Sequence, residues 1–152
     1  MTIRSILLEQ LEAVYDRNHW FVCFEMAVKD LTEAEVHCKG EDGHSIFELV
    51  HHLYFYNERY LCKFLGEEVQ ELPRNYNTFQ ARDAMDWSEC IADFRKVMLK
   101  FRKEITACSE EKLTKWGGTL THLFIHNAYH IGQIVSIRKQ KKWWSTHPVV
   151  KG

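Results

Sequence analysis

Residues 45–61, SIFELVHHLYFYNERYL, indicate the fold class of this chain. Its apolar residues recur three and four positions apart, which is the spacing of one face of an α-helix. Ser45 and Glu48 form a capping box at the start of this pattern, and Gly66 supplies a left-handed stop after it. We therefore predict a long helix that runs to about Leu65.

Helical spacing also extends toward the N-terminus, and the whole chain has only two prolines and seven glycines to interrupt it. A first helix is predicted from about Ile3 toward Lys29, with a kink near Asn18, where the apolar stripe loses phase. Residues 32–35 have the form of a capping box and predict one short helical turn before the long helix.

A long connection follows the central helix at residues 67–85, because this stretch contains Pro73 and a polar run. Asp86 then caps another helix, which we expect to end near Cys108. The connection therefore crosses between the second and third long helices.

The last helix is predicted to open at Thr119 or Thr121, after the break at Gly117-Gly118, and to reach about Lys141. Four amphipathic helices have one economical packing, with their apolar stripes facing a shared axis. We therefore predict an all-α four-helix bundle with a long crossover connection between helices two and three. The length of 152 residues predicts a single domain over residues 1–152.

Charge and composition argue against several classes of partner. Twenty Lys and Arg against 21 Asp and Glu give a net charge of −1, so no overall positive field exists for nucleic acid. No run of 18 apolar residues suggests a membrane span, and the N-terminus lacks the apolar region of a secretory signal. The five cysteines are scattered and indicate reduced thiols. We expect a cytoplasmic protein that binds neither nucleic acid nor membrane.

Histidines cluster on two of the predicted helices, where five of the nine lie. His122, His126 and His130 are spaced four apart, so they form a stripe along one helix, and two imidazoles so placed can grip one metal ion. A solvated helix face or a hydrogen-bonded core would show the same spacing. Apolar residues flank the stripe and turn part of it toward the interior, where imidazoles need partners, and this favours a metal site.

A third ligand must come from another helix, and periodicity does not choose between His51 and His52. Three neutral imidazoles suit Zn²⁺ or Ni²⁺ and leave open positions for water or a substrate thiol. Glu48 lies one turn before His52 and is placed to accept its second ring proton, although the capping role of Glu48 competes. We expect one divalent metal ion per chain.

The stretch at residues 45–61 and the stretch HNAYHIGQI at residues 126–134 strongly resemble the DinB-like (DNA-damage-inducible) family, over nearly the whole chain. That family includes relatives of bacillithiol S-transferases and has a four-helix bundle with a three-histidine metal site. The resemblance implies that the metal ligands are His52, His126 and His130. His51 and His122 are extra to the pattern. Each would either support a metal ligand by a hydrogen bond or be solvated, and we expect both to be solvated.

Two hypotheses of function follow. The first is a metal-dependent enzyme that activates a small-molecule thiol toward an electrophile, as the resemblance to S-transferases implies. The second is a non-catalytic, stress-induced bundle in which the metal ties two helices together. A metal-dependent hydrolase that uses a bound water is the alternative enzyme.

The sequence lacks a Gly-x-Ser-x-Gly elbow, a phosphate-binding glycine loop and a dinucleotide fingerprint, which argues against serine hydrolases, kinases and dehydrogenases. It assigns no catalytic side chain. The family resemblance and the abundance of aromatic residues predict a homodimer.

Overall fold

The computed structural model describes residues 1–81, 84–145 and 148–151. These residues form α-helices without a β-strand, and one isolated bridge joins Lys39 and Ser45. The prediction of an all-α fold is therefore confirmed. None of the described helices is long and apolar enough to cross a membrane. In chain order the helices are α1 (Ile3–Tyr15), α2 (Phe24–Val28), α3 (Glu33–His37), α4 (Ile46–Leu65), α5 (Trp87–Ala107) and α6 (Glu110–Gln140).

The chain falls into two compact units. One consists of Met1–Leu31 together with Arg102–Gly152, and the other of Thr32–Phe101. In the first unit α1 packs along α6, and α2 contacts both; in the second unit α3 packs on α4. The single domain over residues 1–152 and the four-helix crossover arrangement stay predictions.

The first predicted helix is two helices in the structure, which corrects the expectation of one kinked helix from Ile3 toward Lys29. α1 ends at Tyr15, and α2 begins only at Phe24. Between them the side-chain oxygen of Asn18 accepts a hydrogen bond from the backbone N–H of Cys23 at 2.9 Å. Asparagine competes with the helix for backbone donors in this way, so the chain turns where a kink was expected.

The central helix α4 has the predicted caps. Ser45 Oγ accepts from the backbone N–H of Glu48 at 3.1 Å, and Glu48 Oε2 accepts from the N–H of Ser45 at 2.9 Å. Gly66 closes the helix with a φ of 83°, a left-handed conformation that glycine adopts without a steric penalty. Both ends of the predicted helix are confirmed.

The helices on either side of α4 also have the predicted start signals. Thr32 and Glu35 form the capping box of α3. The carboxylate of Asp86 accepts from the backbone N–H of Glu89 at 2.8 Å, and α5 ends at Ala107, next to the predicted Cys108. The predictions for these two elements are confirmed.

The last helix starts about three turns earlier than predicted, at Glu110 and not at Thr119 or Thr121. Ser109 caps it by accepting from the N–H of Lys112 at 3.2 Å. Gly117 and Gly118 lie inside the helix, where each glycine costs about 1 kcal/mol relative to alanine. Packing of α1 along α6 offsets that cost.

Arg4 of α1 holds the turn between α5 and α6. Its guanidinium donates to the backbone carbonyls of Ile105, Thr106 and Cys108 and to the carboxylate of Glu110. The last carbonyls of a helix have no partner within the helix, and the five N–H donors of arginine supply one. These bonds tie the turn before α6 to α1.

Candidate metal centre

Two adjacent histidines of α4 are buried and share one partner. His51 is 3% exposed and His52 is 7% exposed. The Nδ1 atom of His51 donates to the backbone carbonyl of Thr78 at 2.9 Å, and the Nδ1 atom of His52 lies 2.7 Å from the hydroxyl of Thr78. The expectation that His51 is solvated is therefore wrong. The connection after α4 brings a carbonyl oxygen into a buried position, and His51 provides its donor.

These bonds determine which nitrogen of each ring carries a proton. A carbonyl only accepts, so Nδ1 of His51 is protonated. A hydroxyl both donates and accepts, so the contact between His52 and Thr78 is compatible with either tautomer of the neutral ring. Because Thr78 contacts Nδ1 of His52, Nε2 is the candidate metal ligand of this ring, in the tautomer that carries the proton on Nδ1.

The plane of the His52 ring is held by Phe79. The two rings stack with centroids 4.0 Å apart and an angle of 3° between their planes, and Phe79 also stacks on His44 at 4.1 Å. Asn77 Oδ1 accepts from the backbone N–H of Phe79 at 3.1 Å, which closes a local turn. Sequence reasoning missed Thr78 and Phe79, since a threonine and a phenylalanine in a connection follow no helical period.

Glu48 caps the start of α4 and does not accept a proton from His52. Its carboxylate accepts from the backbone N–H of Ser45, forms an ion pair with Lys39 and lies 3.6 Å from Nδ1 of His44. Burial opposes its ionisation, but the hydrogen bonds from Lys39 and Ser45 outweigh burial and lower the pKa of Glu48. The hydroxyl of Thr78, and not the carboxylate of Glu48, contacts Nδ1 of His52.

On α6, His126 and His130 face each other across one helical turn. Their Nε2 atoms lie 3.1 Å apart. The Nδ1 atom of His130 lies 2.6 Å from Oε1 of Gln133, and an amide oxygen only accepts, so His130 carries its proton on Nδ1. Nε2 of His130 therefore has its lone pair directed at His126. His122, one turn earlier, is exposed as expected.

His126 is neutral near pH 7. Burial, together with the nearby His130, lowers the pKa of His126 from 6.5 to about 4, although a hydrogen bond with the Asn127 side chain acts in the opposite direction. A metal ligand must present an unprotonated nitrogen, so a ring with this pKa binds a cation without first losing a proton.

One ligand nitrogen from each of His52, His126 and His130 lies within 4.8 Å of the other two. Two nitrogens bound to the same tetrahedral zinc, each about 2.1 Å from it, are about 3.4 Å apart. The separation of 3.1 Å between His126 and His130 is close to that value. This group of three histidines can hold a metal ion.

A comparison with protein families places the chain beside known ones. The model described as the DinB superfamily matches residues 23–134, about three quarters of the chain. The matched range includes α4 and the part of α6 that carries the histidines. No curated protein and no solved structure matches the chain.

Proposed function

Since the chain belongs to the DinB superfamily, we propose that it binds one divalent metal ion through His52, His126 and His130 and uses that ion to activate a thiol. The observation that carries the proposal is the grouping of ligand nitrogens from these three rings within 4.8 Å. Zn²⁺ or Ni²⁺ suits a set of three imidazoles.

The neighbours of the three rings support this assignment because the contacts of His130 and His52 are compatible with a lone pair on Nε2, and because His126 is neutral. Gln133 fixes the proton of His130 on Nδ1, so that Nε2 presents its lone pair. Thr78 takes Nδ1 of His52. His126 stays neutral because its pKa is lowered to about 4.

A bound divalent cation lowers the pKa of a thiol, so that a thiolate nucleophile exists near neutral pH. In the proposed reaction a sulfur lone pair forms the new bond to a carbon of the electrophile, and the leaving group of that carbon departs with the electrons of the broken bond, as halide ion from an aryl halide. The proton of the thiol passes to solvent. Three histidines leave a coordination position for the substrate, as in catalytic zinc sites with three protein ligands. The substrates are a small-molecule thiol and an electrophile, in line with the resemblance to bacillithiol S-transferases.

We also propose that the protein is a homodimer and acts in the cytoplasm. All five cysteines are free thiols, which is usual in a reducing compartment. Nucleic acid and membrane are not among the proposed partners, since the net charge is −1.

The test uses protein loaded with Co²⁺, whose absorption spectrum reports its ligands. Addition of glutathione or 2-mercaptoethanol is expected to change the spectrum, because sulfur enters the coordination sphere. The same preparation is expected to accelerate conjugation of the thiol to an aryl halide, at a rate that rises with pH through the pKa of the bound thiol. Chelation abolishes both effects, whereas His122→Ala retains them.

If thiols leave the cobalt spectrum unchanged while the site is fully loaded, thiol activation is wrong. A hydrolase that uses a bound water, or a non-catalytic metal-binding bundle, then becomes the better account.

A further inference from the structure

We propose that Thr78 is a positioning residue of the metal centre, whose hydroxyl accepts the Nδ1 proton of His52 while Nε2 of that ring ligates the metal. The inference rests on the metal binding proposed above. It assigns a role to the connection between α4 and α5, which sequence patterns treat as a linker.

The placement of the Thr78 hydroxyl is determined by several contacts. Thr78 is buried, and its backbone carbonyl accepts from His51 Nδ1 at 2.9 Å while its hydroxyl meets His52 Nδ1 at 2.7 Å. The next residue, Phe79, stacks on the His52 ring at 4.0 Å. Thr78 therefore contacts one nitrogen of the His52 ring, and Phe79 packs against the plane of that ring.

The hydroxyl suits this position because it can either donate a hydrogen bond to Nδ1 of His52 or accept one from it. A histidine that binds a metal through Nε2 must carry its proton on Nδ1, and that proton needs an acceptor when it is buried. Without metal, the hydroxyl is able to donate to an unprotonated Nδ1; with metal, it accepts from Nδ1–H. One side chain thus stabilises the ring in both states.

A purely structural role for Thr78 makes the opposite prediction about two substitutions. Thr78→Val keeps the shape of the side chain and removes the hydroxyl, whereas Thr78→Ser keeps the hydroxyl and removes the methyl group. If the hydroxyl positions His52, valine is the damaging substitution. If Thr78 only fills space, serine is the damaging one, because it leaves a small cavity.

The experiment measures the affinity of the purified full chain for Zn²⁺ by competition with a chromophoric chelator. Thr78→Val is expected to bind Zn²⁺ about 10- to 100-fold more weakly than the natural chain, the usual effect of losing a partner of a metal-bound histidine. Thr78→Ser is expected to bind nearly as tightly as the natural chain. Thr114→Val is the matched control, because Thr114 is an exposed threonine of α6 whose hydroxyl bonds to the carbonyl of Glu110.

A second measurement follows the Nδ1 proton of His52 by NMR. In the Zn²⁺-loaded protein, the Nδ1 proton of His52 is expected to give a slowly exchanging NMR resonance that Thr78→Val shifts or broadens and Thr78→Ser retains. Circular dichroism and thermal unfolding of the metal-free variants separate this effect from loss of the fold.

Each outcome bears on the inference. If the natural chain binds Zn²⁺ and Thr78→Val binds it equally well, Thr78 does not position His52. Metal binding by the three histidines is then unaffected. If serine weakens binding as much as valine does, Thr78 acts by packing, and the inference is overturned. If the natural chain binds no metal, the proposed function fails, and the role of Thr78 fails with it.

Discussion

The Nε2 atoms of His126 and His130 lie 3.1 Å apart on successive turns of α6. Gln133 fixes the proton of His130 on Nδ1, so the hydrogen bond between the two rings requires a proton on Nε2 of His126. Ligation of one metal by both rings requires that proton to move to Nδ1 of His126. The two rings therefore either bond to each other or bind one metal ion. The helical spacing of α6 holds His126 and His130 close enough for both arrangements.

The pH dependence of stability should contain a contribution from His126 in metal-free protein. Its pKa is about 4 in the folded chain against 6.5 in the unfolded chain, so between these values only the unfolded state gains this proton. The free energy of unfolding is expected to fall as pH decreases from 6.5 to 4, and to be independent of His126 above 6.5. Urea unfolding with a chelator present at several pH values measures this slope.

His126→Gln is the comparison, because it keeps a polar side chain and removes the titration. The variant is expected to lose less stability over the same pH range. Equal slopes in the two proteins would show that the pKa of His126 does not change on folding.

Substitution of His51 should destabilise the fold without removing the metal. His51→Ala leaves the carbonyl of Thr78 without its donor, and a buried polar group that loses its partner costs about 1–3 kcal/mol. Chemical denaturation is expected to show that loss, and His51→Asn, whose amide N–H can replace Nδ1–H, should show a smaller one. A change below about 0.5 kcal/mol would indicate a solvated histidine.

Sequence patterns predicted α4 well because its signals are local. A capping box at Ser45 and a glycine at its end act within one turn of the helix, and so does the cap of α5 at Asp86. The start of α6 was not predictable in this way, because Gly117-Gly118 has the composition of a break. This helix packs along α1, and Arg4 bonds to the turn before it, and these contacts come from residues distant in sequence.

The candidate site likewise has features that local sequence signals predict and features that depend on distant residues. The spacing of His126 and His130 is a local signal, and helical geometry alone places these rings together. The partner of His52 is not predictable, because Thr78 reaches it from 26 residues farther along, through a connection without a period. His51 was expected in solvent for the same reason.

Alanine at position 118 tests whether α6 is continuous through its glycines. Nothing lies within 4 Å of the position that the added Cβ would occupy, and Gly118 has helical backbone angles. Gly118→Ala is therefore expected to raise the free energy of unfolding by up to about 1 kcal/mol, since alanine loses less backbone entropy on folding. Chemical denaturation measures the change. A loss of stability would indicate a loop that needs glycine at this position.

The proposed homodimer is tested by light scattering, which should give about twice the chain mass of 18.1 kDa. Ile125 and Tyr129 of α6 are 59% and 65% exposed, and exposed apolar side chains on one helix suit a contact with a second copy. Ile125→Glu is expected to shift the protein toward monomer, and His122→Glu, at an exposed polar position on the same helix, is the control. A mass of one chain at every concentration would contradict the dimer.

The metal content of the purified protein shows whether His52, His126 and His130 bind an ion. Protein loaded with Zn²⁺ and then desalted is expected to retain one ion per chain by plasma mass spectrometry, and His122→Ala should retain as much. His52→Ala, His126→Ala and His130→Ala should each lose the ion, because two imidazoles hold a divalent cation much less tightly than three. Full retention of the ion by His130→Ala, or no retention by the natural chain, would contradict the account.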